Sequence, residues 1–234
     1  QMSSRRNIKH LNQIMMMNNK FKFLIIVILS LFILPACKPE KIQIEVYTSD
    51  IKSVNEGEVL EVPLKIEFSM IGEDKDNELS KATDLAKKYL PEDSEFEITK
   101  GTFGKVMTIV TTIPMGTKKS LPNYIKENPR PLMLKISENK IILESTGSLK
   151  TLNSELKDIN FMLSADLPAK STIFRITSDS KKKVTVLATA VFSEKKPYLH
   201  FEKSIKRRKS VEVEFKGGDG SVYTEIPVQL ELKF

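Results

Sequence analysis

The side chains able to do chemistry are few. Cys37 is the only cysteine, and His200 is the only histidine after His10. A thiolate is a nucleophile and a metal ligand, but a lone thiol in an oxidising compartment invites pairing between molecules. Acid–base and nucleophilic catalysis need a titratable base within hydrogen-bond reach of the reacting group. His200 lies on the alternating run Tyr198-Leu199-His200-Phe201, which reads as a half-exposed strand position. There is no G-x-S-x-G elbow, and no His pair, Cys pair or EF-hand-like Asp series at metal-ligand spacing. Asp74 and Asp76, with Glu73 and Glu78, could surround a calcium ion. A solvated loop leading into a helix accounts for them better, since acidic groups complement the dipole at a helix N-terminus. Gly217-Gly218-Asp219-Gly220 lacks the lysine and hydroxyl of a P-loop and reads as a hairpin turn. No catalytic residue, metal site or diffusible cofactor is expected.

What precedes Cys37 gives it another role. Phe23 to Leu34 is apolar except for Ser30 and follows Lys20 and Lys22. About twelve residues is too short for a bilayer core, which takes about 20, but suits the h-region of a signal peptide. Leu34-Pro35-Ala36-Cys37 resembles the lipobox of bacterial lipoproteins, with Pro35 in place of the usual small residue. The resemblance implies that residues 1–36 are a signal peptide and that Cys37 carries a covalent lipid as the first mature residue. Met15-Met16-Met17 offers a better start than Gln1, so the residues before Met15 read as an over-long frame. Several acyl chains on one residue hold a protein to a membrane firmly, where one chain binds marginally.

Charge shifts once that segment is set aside. Five of the 37 basic residues and none of the 30 acidic ones lie in 1–36, which leaves 32 against 30, a net charge near +2. A nucleic-acid binder would keep its basic excess, usually as a dense patch with interleaved aromatics, so no nucleic-acid partner is expected. Three local basic runs remain: Lys118-Lys119, Lys181-Lys182-Lys183 and Lys206-Arg207-Arg208-Lys209. Solvated turns account for such runs by default. For Lys206, Arg207, Arg208 and Lys209 the functional reading is contact with an anionic surface, where each nearby cation contributes about 1 kcal/mol.

The elements that must position these groups are mostly strands. Period-two alternation recurs from Ile42 to the last residue, most clearly over Leu60–Met70 and Val222–Phe234. Shorter runs fall at 96–98, 106–113, 132–136, 141–143, 161–167, 172–176, 184–192, 198–201 and 211–215. One short helix is expected near 78–89, started by Asn77 and stopped by Pro91, with a weaker helical pattern over 148–157. Many short strands at regular spacing predict a mainly β fold of antiparallel, sandwich-like sheets, as one elongated domain or two small ones. The two-module division is 37–114 and 132–234, with a proline-bearing linker at 115–131. Pro63 and Pro227 sit in similar alternating segments, as prolines do where a backbone N–H is not needed.

Cys37-Lys38 followed by Glu45-Val46-Tyr47-Thr48-Ser49-Asp50-Ile51, with Ala188-Thr189-Ala190-Val191-Phe192 and Pro197 further on, resembles a family of uncharacterised bacterial lipoproteins often carried on prophages and plasmids. That resemblance implies an envelope lipoprotein and carries over no catalytic residue. Lys38 stands where an inner-membrane retention signal would place aspartate, which resembles sorting to the periplasmic face of the outer membrane. The expected activity is binding or structural, with the membrane as one partner through the lipid, and an envelope protein or glycan as another. The alternatives are a glycan hydrolase using two carboxylates about 5–9.5 Å apart in a cleft, and a phage- or plasmid-encoded exclusion or immunity lipoprotein.

Overall fold

Alternation becomes one curved sheet. In the computed structural model the described residues are 39–71, 77–102, 104–160, 163–165, 167, 169–217 and 228–234. Among them the chain forms β1 (Pro39–Tyr47), α1 (Thr48–Asn55), β2 (Leu60–Ile71), α2 (Glu78–Ala86), β3 (Glu95–Lys100), β4 (Gly104–Thr117) and α3 (Leu121–Glu127). It continues through β5 (Leu132–Ser137), β6 (Lys140–Ser145), α4 (Gly147–Ile159), β7 (Ser171–Ser178), β8 (Val184–Ser193), β9 (Lys196–Ile205), β10 (Lys209–Lys216) and β11 (Gln229–Lys233).

The fold is mainly β, as the alternation predicts, but it is not a sandwich. Nine strands close into a barrel in the order β10-β7-β1-β2-β4-β5-β6-β11-β8, and β8 meets β10 where Phe192 pairs with Glu214. β3 adds to β4 and β9 to β8 as flanking strands. Most neighbours are antiparallel, but β1–β7 and β4–β5 run parallel. The physical reason for the correction lies in β8. Its first residues pair with β11 and a later one with β10, while β9 follows the other edge. Ala190, at φ 55°, sits between the two stretches. Val184 and Val186 are buried before it, and Val191 and Ser193 after it, so the buried face changes phase there. Such an irregularity bends a strand into a barrel corner.

The division into two modules gives way as well. The described chain belongs to one compact unit, and strands from both halves alternate around the ring. Residues 115–131, expected as a linker, hold the end of β4 and the whole of α3. Close packing there needs a glycine: a Cβ on Gly116 would come within 3.0 Å of Ser120 and Leu121 side-chain atoms. Pro114 falls between the β3 ladder, which ends at Val110, and the β5 ladder, which begins at Met115. Pro63 lies one residue past the end of the β1–β2 ladder at Leu64. Both prolines thus lack an N–H at a free stretch of edge.

Inward residues fill the barrel. Ile42, Ile44 and Val46 of β1 meet Leu64 of β2, Ile113 and Met115 of β4, Phe174 and Ile176 of β7 and Leu230 and Leu232 of β11, all buried. Phe174 packs edge-on against Phe215 with centroids 6.0 Å apart. This is a packed core and not a pore. The expected strand at 161–167 is absent from the described part of that stretch, where the Ala165 N–H donates to Asn153 Oδ1 (2.7 Å). Residues 1–36, Cys37 and Pro227 lie outside the described residues.

Candidate apolar binding site

Two amphipathic helices roof the barrel at the end where β1 begins. α2 buries Leu79, Ala82, Leu85 and Ala86, and α4 buries Leu149, Leu152 and Leu156. The spacing of i, i+3 and i+7 puts each set on one face. α2 ends at Ala86, three residues short of the expected boundary, and Asn77 opens it at φ 53° without a side-chain cap. Thr146 caps α4, its Oγ1 accepting from the Ser148 N–H (3.2 Å). The helices are pinned together at both ends: Tyr89 donates to Glu155 Oε1 (2.7 Å) and Asn160 Nδ2 donates to Glu78 Oε2 (2.7 Å). The hydrogen bond to Glu155 pushes the Tyr89 phenol above its ordinary value, with burial and the carboxylate charge adding to it.

Between this roof and the sheet lies a cavity of about 80 Å³. Pro39, Ile42, Ile66, Met107 and Ile109 form its floor, and Leu79, Ala82, Leu149, Leu152 and Leu156 its ceiling. Apolar cavities stay dry and take apolar guests; an engineered one of about 150 Å³ takes benzene. The space here suits the end of a hydrocarbon chain. Arg130 is on its wall, with its Nε buried and without a hydrogen-bond partner among the described residues, 3.9 Å from Glu61 Oε1. Glu61 Oε1 also accepts from the Tyr124 hydroxyl (2.7 Å), a bond that raises the Tyr124 pKa, helped by burial and the Glu61 charge.

The other end of β1 carries the charged features. Asp179, from the loop after β7, reaches across 130 residues to the start of α1. Its Oδ1 accepts from Thr48 Oγ1 (2.8 Å) and the Ser49 N–H (2.9 Å), and its other oxygen accepts from the Ser49 hydroxyl. Burial pushes this carboxyl up, but hydrogen bonds from Ser49, Thr48 and the backbone outweigh it, and the net shift is downward. Asp50 moves the other way: burial raises it, the Tyr47 N–H lowers it, and the Asp179 charge adds to the rise. Opposed shifts in neighbouring carboxylates are a mark of acid–base pairs. Here both acids serve the first turn of a helix, and neither lines the apolar cavity or the polar groove described next.

His200 is exposed on β9 opposite Thr189, more open than the half-exposed position expected. It borders a polar groove of about 320 Å³ with Lys140, Glu202 and Glu231. Lys206, Arg207, Arg208 and Lys209 form the exposed β9–β10 turn, and Lys118 and Lys119 an exposed turn after β4. Glu78 is engaged with Asn160, whereas Glu73, Asp74 and Asp76 lie outside the described residues, as do Leu34, Pro35, Ala36, Cys37 and Gly218–Gly220. Among the described residues, no three or more His, Cys, Asp or Glu gather to hold a metal ion, and no helix is long and apolar enough to cross a membrane. Sequence reading missed the cavity because each apolar stripe was visible and their pairing was not. No family model, curated protein or solved structure matches the chain.

Proposed function

We propose that this chain is an envelope lipoprotein that acts by binding: Cys37 carries the lipid, and the barrel receives an apolar chain beneath α2 and α4. The observation that carries the reading is the apolar cavity, formed at the barrel end where Pro39 enters β1, two residues after Cys37 in the sequence. Leu34-Pro35-Ala36-Cys37 and the likeness to prophage- and plasmid-borne lipoproteins support the anchor, and Lys38 supports the periplasmic face of the outer membrane. With one residue between Cys37 and β1, the roofed end faces the membrane, where hydrocarbon chains are the abundant guests.

The test for binding is methyl-resolved NMR with 1-hexanol as the guest. The methyls of Met107, Ala82 and Leu152 shift together in saturable fashion, and A82F abolishes the shifts while leaving the unfolding midpoint close to that of the parent. Saturable shifts that bypass these three methyls, or none at all, sink the cavity reading. Mass measurement of the mature N-terminus checks the anchor separately: an unmodified Cys37 removes it.

A further inference from the structure

The fold brings two of the basic runs together. Lys181–Lys183 occupy the β7–β8 loop and Lys206–Lys209 the β9–β10 turn. Lys209 pairs with Ser178, and the Arg208 N–H donates to the Ser178 carbonyl (2.6 Å), so the turns are neighbours on one end of the barrel. Arg208 is held at φ 62°, a conformation that fixes the tip of its turn. All seven cations are exposed, and none forms an ion pair among the described residues. The one acid on the two turns, Asp179, is engaged by Thr48 and Ser49. Seven cations outnumber the Asp179 and Asp50 carboxylates at this end, and an anionic partner relieves the repulsion that remains.

Which anion is decided by position. β1 and β7 run parallel from Lys41–Ser171 to Tyr47–Thr177, so these turns follow the end of β1 opposite Pro39. Nine residues of β1 span about 26 Å along the strand, or about 20 Å along a barrel axis at the usual tilt. The Debye length at physiological salt is about 8 Å. On the proposed tether, the bilayer that anchors Cys37 is therefore out of electrostatic reach. Neither turn contains an aromatic residue on which bases could stack. Adjacent arginines flanked by lysines suit repeated phosphate oxygens.

We infer that this end of the barrel docks a phosphate-bearing polymer other than a nucleic acid, lying on the side away from the anchoring membrane. The orientation rests on the lipoprotein reading, while the binding itself does not. The experiment uses the full chain as a C37S variant in solution, with fluorescent inorganic polyphosphate as the probe. Affinity falls about a hundredfold in K181Q/K182Q/K183Q and similarly in K206Q/R207Q/R208Q, with a steep salt dependence in the parent. K81Q/K88Q/K100Q, which removes three cations elsewhere, changes it less than threefold. An equal loss in that control overturns the site. Tighter binding to duplex DNA, or adsorption to vesicles of one-third phosphatidylglycerol that polyphosphate does not displace, overturns the partner class. The lipidated chain on phosphatidylcholine vesicles tests orientation alone: unaltered polyphosphate affinity is expected, and a loss on tethering overturns the outward-facing tip without touching the solution result.

Discussion

At the end where β1 begins, α2 and α4 close over the sheet around an 80 Å³ space lined mainly by apolar side chains, with Arg130 on its wall. At the end where β1 runs into α1, two short turns carry seven exposed cations, and Asp179, together with Asp50 of α1, supplies two perturbed carboxylates. The same strands supply both. A strand has no say in what its ends carry, so a barrel can be apolar at one pole and charged at the other, provided its middle is well packed. The two poles then become separable in energy and in ligand chemistry.

The largest effect comes from removing what the poles share. Phe174→Ala leaves a void at a fully buried site and costs about 3–5 kcal/mol. Urea denaturation shows a loss of this size, and both hexanol and polyphosphate binding fail at the temperature where the variant unfolds. Leu152→Ala attacks the roofed pole alone. It costs about 2–3 kcal/mol and enlarges the cavity, while polyphosphate affinity stays within twofold of the parent.

Paired substitutions at the charged pole sharpen the contrast next. Asp179→Asn weakens the long-range cap of α1 and costs about 1 kcal/mol at pH 7. The folded pKa of Asp179 lies below its unfolded value of about 3.9, so its stabilisation is present above that value and is lost as pH falls through the folded pKa. Asp50 has the opposite sign. Its raised folded pKa makes stability decline as pH rises from the unfolded value through the folded one, and Asp50→Asn removes that decline. Thermal midpoints of the two variants between pH 3 and 7 therefore diverge in opposite directions from the parent. Parallel curves would sink the assignment.

Smaller effects follow. Tyr89→Phe deletes the bond to Glu155 between the roof helices and costs about 0.5–1.5 kcal/mol, read as faster amide exchange in α2 with α1 unchanged. Lys52→Ala breaks the exposed i,i+4 pair with Glu56 and changes stability by about 0.3–0.5 kcal/mol, near the limit of a urea titration.

Much of the fold was legible where a single residue's environment repeats along the chain. The Leu60–Met70 stripe is β2 almost to the residue, and the apolar faces of α2 and α4 were visible as helical stripes. Closure was not legible, because alternation has the same period in a barrel as in a sandwich; what differs is which edges meet, here Phe192 with Glu214. α1 was invisible for a related reason. Thr48–Asn55 has few apolar residues and is held by Asp179 from 130 positions away. The prolines make α3 look like linker in the sequence, although Pro122 sits in its first turn, where the missing N–H costs nothing. The basic run at 206–209 could be seen, but its adjacency to 181–183 needed the β7–β10 register.

The ring order also sets a timetable. β11, near the end of the chain, is the strand that joins β6 to β8. Until it has emerged, those two strands present bare edges, and such edges recruit other chains. The barrel is therefore an open sheet until the five-residue β11 has been made and slots between β6 and β8. Its most exposed moment is the one just before β11 joins, and a chain lacking Gln229–Lys233 is expected to aggregate although most of its core is present.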